Sequence, residues 1–409
     1  MVSEVIGFLK VKTNKLSLIL AVIVLGLLVL GCSGGPAYQG WSGFAGQDGI
    51  LYFGSMDGRV FAIDTSARSQ KLSFPSEGEW VLPIRALAAP KGMCGPLGCA
   101  PSARPVTIYG TPALAGDLVY VATYTGDSGK VMAIKRLAPG YDEEGIPSWN
   151  DGEWFYPRKE DKFIGAVVGG PIVVKDTLYV GSSDGKVYAL DVVKGDKRWE
   201  FDTGDKIWTS PAVEDGVVYV SNYERKLFAV SSTDGSLLWQ IELPAAVVSS
   251  PVAAGGNVIF GTFDNQLYAV DSNNGNVKWK FGGGNWFWST PVIKDGVVYA
   301  GCLDHKIYAL NANTGEKLWQ FVADGPIVST PVLVDNLLVV ASEAGTIYML
   351  KADSGQADKD QLVPIGSEVM APLYADKNMV YVHARNRCVY GVDVQSGQKV
   401  WEFPYSDVK

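Results

Sequence analysis

The sequence predicts an all-β protein: an eight-bladed β-propeller of four-stranded antiparallel blades. Three observations carry the prediction. First, one phrase recurs at a fixed period. "VYALDVVKGDKRWEF" starts at Val187, "LFAVSSTDGSLLWQI" at Leu227, "LYAVDSNNGNVKWKF" at Leu267 and "IYALNANTGEKLWQF" at Ile307, each 40 residues after the last. A fixed period of this length marks a repeat architecture, which overrides the two or three domains that 409 residues would otherwise suggest. Second, each repeat breaks into short runs rich in Val, Ile, Tyr and Trp, separated by tight Gly/Asp/Asn turns, which is the signal for consecutive hairpins. Third, the phrase of the second run occurs eight times: "LYFGS" (51), "LVYVA" (118), "LYVGS" (178), "VYVSN" (218), "VIFGT" (258), "VYAGC" (298), "LVVAS" (338) and "VYVHA" (380).

The elements follow in order. In the unit that begins near Phe287, "FWSTPVI" is the first run, closed by Asp295-Gly296. "VVYAGC" is the second, "KIYALN" the third and "EKLWQF" the fourth. Four such runs in sequence make a meander sheet. A proline in the first run gives an independent ruler, at Pro112, Pro171, Pro211, Pro251, Pro291, Pro331 and Pro372, with "WSGFA" (41–45) in its place in the first unit. Eight equal meanders close radially, because closure removes the unprotected end sheets of an open stack. The propeller is assigned to 38–405 and expected to be monomeric. Units 1 and 2 are irregular, with long loops at about 85–108 and 138–152. Loops on a regular body are where function concentrates.

The N-terminus is a separate signal. Lys10, Lys12 and Lys15 precede the apolar run "LSLILAVIVLGLLVLG" (16–31), which ends at Cys32 and the loose "SGGPAYQG". Sixteen residues are short for a spanning helix and fit the apolar region of a signal peptide. "VLGC" (29–32) resembles a bacterial lipobox, so 1–31 is read as a lipoprotein signal peptide, Cys32 as the lipidated residue and 32–37 as a flexible tether. An uncleaved anchor would leave the body on the same side of the membrane. The expected location is therefore extracytoplasmic and membrane-anchored: at an outer membrane if the cell has one, otherwise on the outer face of the cytoplasmic membrane.

The net charge is −8, and the lysine-rich N-terminal segment makes the remainder more acidic still. An acidic body without a Lys/Arg block argues against nucleic acid as a partner. Of five cysteines, Cys94 and Cys99 lie in the Gly/Pro-rich "CGPLGC", where a local disulfide suits an exported protein. A metal there would need two further ligands, and the chain has only His305 and His383. Cys302 and Cys388 fall at repeated strand positions and are read as buried thiols.

Trp199, Trp239, Trp279, Trp319 and Trp401 occupy one place in five repeats, with Trp80 and Trp154 the candidates for it in the irregular units. Ala189, Ala229, Ala269 and Ala309 lie ten residues earlier. A Trp on the outermost strand beside a small residue can lay its indole across the sheet and into the next blade. The pattern, roughly Ala-x-Asp-x-x-x-Gly-x-x-x-Trp, resembles the tryptophan-docking motif of the quinoprotein (PQQ) propellers. The resemblance implies a blade-to-blade structural role for these tryptophans. It does not by itself imply a quinone cofactor.

The chemistry of a quinone oxidoreductase is not apparent. The family's enzymes use carboxylate and amide ligands for a metal and an Asp base, and many have a disulfide between adjacent cysteines. Here no two cysteines are adjacent. The first runs, expected to line the channel, read "WTSPAV", "VSSPVA", "WSTPVI", "VSTPVL" and "VMAPLY" and offer no carboxylate cluster. P-loop and EF-hand patterns are absent too. No cofactor, metal or catalytic residue is therefore expected, and PQQ with calcium is the least favoured reading.

One stretch stands out. "FGGGNWFWSTP" (281–291) lengthens an ordinary connection with glycines and extra aromatics, and Trp208 stands where Trp288 does one pair of repeats later. Trp208, Trp286 and Trp288 are a candidate partner or ligand patch, with packing over the channel rim as the alternative. An exported, lipid-anchored propeller of this length also resembles the propeller lipoproteins of the outer-membrane β-barrel assembly machinery. That resemblance implies a non-catalytic scaffold for protein partners, including a β-barrel assembly protein. A surface-anchored propeller binding some other protein or a small ligand is the alternative.

Overall fold

The computed structural model describes residues 42–84, 106–137, 153–159, 162–357 and 362–408. By its contacts the chain divides into Met1–Gln39 and Gly40–Lys409. The signal segment, Cys32, the tether, Cys94, Cys99 and most of the two irregular loops (85–105 and 138–152) lie outside the described residues.

The larger unit is an eight-bladed β-propeller. Its eight four-stranded sheets span 45–83, 113–156, 172–202, 212–242, 252–282, 292–322, 332–364 and 374–404, numbered here as blades 1 to 8. Every blade is an antiparallel meander with its strands in chain order. The first strand of blade 1 touches the first strands of both blade 2 and blade 8, so the ring closes around the innermost strands. Among the described residues no strand is exchanged between the ends of the ring: blade 1 begins with Ala45–Gln47 and blade 8 ends with Gln398–Pro404, each paired within its own sheet.

Burial explains the sequence pattern strand by strand. The second and third strands, such as Val217–Ser221 and Lys226–Ser231, are buried on both faces because each blade is covered by two others. They therefore read as near-continuous apolar runs. The fourth strands alternate, as in Lys197–Asp202, where Trp199 is buried between exposed Arg198 and Glu200. The hydrophobic core is a set of eight layers between blades. One of these joins Tyr179, Ala189 and Trp199 of blade 3 to Val218, Val220 and Phe228 of blade 4.

The first strands are shorter than the sequence suggests. In blade 6 the ladder covers only Val292–Lys294, and "FWSTP" belongs to the connection from blade 5. Pro291 has no N–H to donate, and the hydroxyl residues before it bond locally rather than across a sheet. Ser249, at the matching place before blade 5, instead reaches the second strand: its hydroxyl accepts from the N–H of Gly261 at 2.8 Å.

Candidate functional site

The repeated phrase resolves into a docking device with three parts. The turn after the third strand is closed by a carboxylate or amide side chain in blades 3, 5 and 6, where Asp191, Asp271 and Asn311 end the strand, while Lys135, Ser231 and Lys351 stand there in blades 2, 4 and 7. Asp191 accepts from the backbone N–H of Val193 (3.0 Å) and Lys194 (2.8 Å), and Asn311 does the same for Asn313 and Thr314. That turn presents the carbonyl of the next residue to the preceding blade. The indole Nε1 of the preceding blade's Trp donates to it: Trp154 to Val192 (2.9 Å), Trp199 to Ser232 (3.0 Å), Trp239 to Ser272 (2.9 Å), Trp279 to Ala312 (2.9 Å) and Trp319 to Ala352 (3.0 Å). Trp80 donates to Arg136 at 2.7 Å in the same way.

The glycine of the phrase lies under the indole. Gly315 has φ +71°, and a Cβ there would come 2.6 Å from the Trp279 ring; Gly235 stands in the same relation to Trp199 at 2.7 Å. Two constraints thus meet at one residue, a left-handed backbone and a flat aromatic neighbour.

Sequence reasoning missed a second donor. The Tyr of the second strand bonds the same carbonyl: Tyr120 to Val192 (3.0 Å), Tyr219 to Ser272 (3.2 Å) and Tyr299 to Ala352 (3.1 Å). The signal was present as a Tyr in "LVYVA", "VYVSN" and "VYAGC", but the pairing joins residues 53 to 72 positions apart.

The other candidate residues lie on one face of the ring. Because each blade is a four-stranded meander, the blade-to-blade connections and the turns between second and third strands emerge at the same end. Trp208, in the connection to blade 4, packs against Tyr223 of that blade's turn with ring centroids 4.8 Å apart, and both are about half exposed. On blade 5, Phe263 takes Trp286 edge-on at 4.8 Å and Trp288 at 6.3 Å, and the two indoles are 6.4 Å apart. So Trp286 and Trp288 are brought together around Phe263, whereas Trp208 belongs to a pair with Tyr223. Phe287, between the two tryptophans, turns inward and is fully buried against Phe281 and Tyr308. The three glycines give the chain room for this: a Cβ on Gly283 would meet the Phe287 ring at 2.8 Å.

The thiols beneath this face are inert. Burial pushes the Cys302 thiol up to about 12 and that of Cys388 up to about 11. His305 occupies its turn with φ +69°. His383, by contrast, is fully buried: Nδ1 donates to the carbonyl of Ser42 (2.8 Å) and Nε2 accepts from the Tyr405 hydroxyl (2.6 Å). Among the described residues, no three His, Cys, Asp or Glu side chains converge in a way that would hold a metal ion. On the same face a depression of about 470 Å³ between blades 7 and 8 is lined by Ser367, Glu368, Arg385 and Asn386, with Arg385 and Glu368 paired at 2.5 Å.

Fold and docking device define a tryptophan-docked propeller of the quinoprotein-repeat class. Within that class the chain belongs to the family of the outer membrane protein assembly factor BamB, whose profile matches residues 34–206, 195–285 and 281–406. Among solved structures it is similar to BamB from Moraxella catarrhalis, with 23 % identity over 57 % of this chain and 71 % of that one and a TM-score of 0.52. It is also similar to the computationally designed protein Ika8, with 17 % identity over 86 % of this chain and 95 % of that one and a TM-score of 0.62. Both likenesses establish the fold. No curated protein matches the chain.

Proposed function

We propose that this protein is a non-catalytic scaffold, held outside the cytoplasm by a lipid on Cys32, that binds protein partners in the assembly of outer-membrane β-barrel proteins. Family membership supports the setting, since the matching profile is that of an outer membrane assembly factor. The observation that carries the binding role is the aromatic face. Trp208 and Tyr223 expose about half of their surface on one face of the ring, and Trp286 and Trp288 flank Phe263 one blade away. Large aromatic side chains left at a surface are the residues that most often anchor protein interfaces. In this reading the docking tryptophans serve only stability, and no PQQ, calcium or other cofactor is needed.

The test is cross-linking in native membranes followed by recovery of the tagged protein. The expected result is co-recovery of a barrel-inserting outer-membrane protein, reduced at least tenfold by Trp208→Ala combined with Trp286→Ala, about 1.4 kcal/mol of binding free energy or more. Recovery of wall or cytoplasmic-membrane proteins alone would overturn the assembly role.

A further inference from the structure

Two interfaces depart from the docking pattern: blade 7 to blade 8, where blade 7 has no Trp, and blade 8 to blade 1, where a Trp is present but does not bond the next blade. Six interfaces carry an indole donor bonded to a carbonyl of the next blade. Trp401 is in the equivalent place on blade 8, yet its Nε1 is buried without a partner. The reason lies in blade 1. Asp64 ends its third strand as Asp191 does in blade 3, but here it caps a short helix, Thr65–Ser69, instead of a four-residue turn. The carbonyl of Thr65, which corresponds to the acceptor elsewhere, takes the Ser69 hydroxyl at 2.8 Å. Trp401 stays in the apolar layer with Phe53 and Phe61 of blade 1, with its indole close over its own sheet. Its register partner is Gly391, where a side chain would collide with the indole, rather than the usual Ala.

A different set of contacts spans this seam, and it depends on the last residues of the chain. After the fourth strand of blade 8, Tyr405 enters a cluster with Phe53 (5.4 Å between ring centroids) and Phe61 (5.1 Å) of blade 1. Its hydroxyl bonds His383, whose other nitrogen bonds the carbonyl of Ser42 at the start of blade 1. Arg59 of blade 1 donates to the carbonyls of Tyr405 (3.2 Å) and Val408, while Asp57 holds the other edge of the guanidinium. On the outside, Phe74 and Arg68 of blade 1 pack on Phe403 at 5.0 and 5.3 Å.

We propose that Tyr405–Val408 is a clasp that holds the ring closed, and that the seam between blades 8 and 1 is where the propeller opens when the clasp is released. Among the described residues no strand is exchanged between the ends of the ring, so no backbone ladder crosses the closing interface there. Closure therefore rests on side chains and on the carbonyls that Arg59 gathers.

The experiment is amide hydrogen exchange followed peptide by peptide on the full chain, on a chain ending at Pro404 and on Arg59→Met. In both variants, peptides covering 42–54 and 379–393 are expected to exchange about tenfold faster or more, with those of blades 4 to 6 unchanged. Seam peptides that exchange at the wild-type rate would overturn the proposal, and so would equal acceleration in every blade. If the shortened chain fails to fold, Arg59→Met decides by the same two criteria.

Discussion

Tyr299 and Trp319 donate to one carbonyl, that of Ala352, at 3.1 and 3.0 Å. The two rings belong to the second and fourth strands of blade 6 and the acceptor to blade 7. A single oxygen with two lone pairs thus ties an inner and an outer strand to the neighbouring blade. Their rings also touch, 5.9 Å apart and tilted by 46°, and the same pair of donors recurs at Val192, Ser232 and Ser272. The repeat is therefore a unit for joining blades rather than a chemical motif.

Removing one indole should be costly. Trp279 is 7 % exposed and packs over Gly315 with its Nε1 bonded to Ala312. Trp279→Ala is expected to destabilise by about 3–5 kcal/mol, the range for large aromatic truncations in cores. Denaturant unfolding measures it, and melting at the wild-type temperature would contradict the docking role.

Two glycines separate backbone strain from indole contact. Gly296 and Gly315 have φ +75° and +71°, but a Cβ on Gly296 meets nothing within 4 Å. Gly296→Ala should cost only the left-handed penalty, about 1–2 kcal/mol. Gly315→Ala should cost at least twice that, because the Trp279 ring must also move. Equal losses of stability in the two variants would show that the indole contact contributes nothing.

His383 predicts an acid dependence. Burial is the main cause that lowers its pKa to about 4, against 6.5 for a free histidine. Between those values the unfolded chain binds the extra proton, so stability falls as pH drops through this window and is fully retained above about 6.5. From pH 7 to pH 5 the loss from this group is about 2 kcal/mol. It appears as the difference in pH dependence between wild type and His383→Gln. Parallel curves for the two proteins would rule the assignment out.

The surface aromatics should behave in the opposite way to the docking ones. Trp208→Ala is expected to change stability by less than about 0.5 kcal/mol, since the side chain is 47 % exposed. A loss comparable with that of Trp279→Ala would mean that Trp208 is part of the packing. Titration with PQQ and calcium should leave the melting temperature unchanged, because a ligand raises it only by binding the native state.

Blade 7 marks where a sequence pattern and its structural meaning part. It has no Trp, and among the described residues its fourth strand is Val363–Pro364. The alanine expected on its third strand is Met349, buried in the layer with Val363, Ile365 and Tyr390. A flexible side chain from the inner strand fills the room an indole would take. The repeat showed that the Trp was missing, but not what replaced it. The same holds on the aromatic face: the run "NWFW" marked Trp286 and Trp288 as unusual, yet Phe287 between them is core and Phe263, 23 residues earlier, completes the cluster.

What the sequence determined by itself is whatever repeats locally: the strands, their turns, the period, the eight blades and the place of each docking Trp. These follow from side-chain alternation and turn chemistry within about 15 residues, and they are read eight times over. What only the tertiary structure decided is whatever joins one repeat to the next or one end of the chain to the other. The shared carbonyl, the grouping of the exposed aromatics and the clasp of Tyr405 on Arg59 and His383 depend on residues brought together by ring closure. Contacts such as that of Arg59 with Tyr405 span 346 positions, and no local periodicity encodes them.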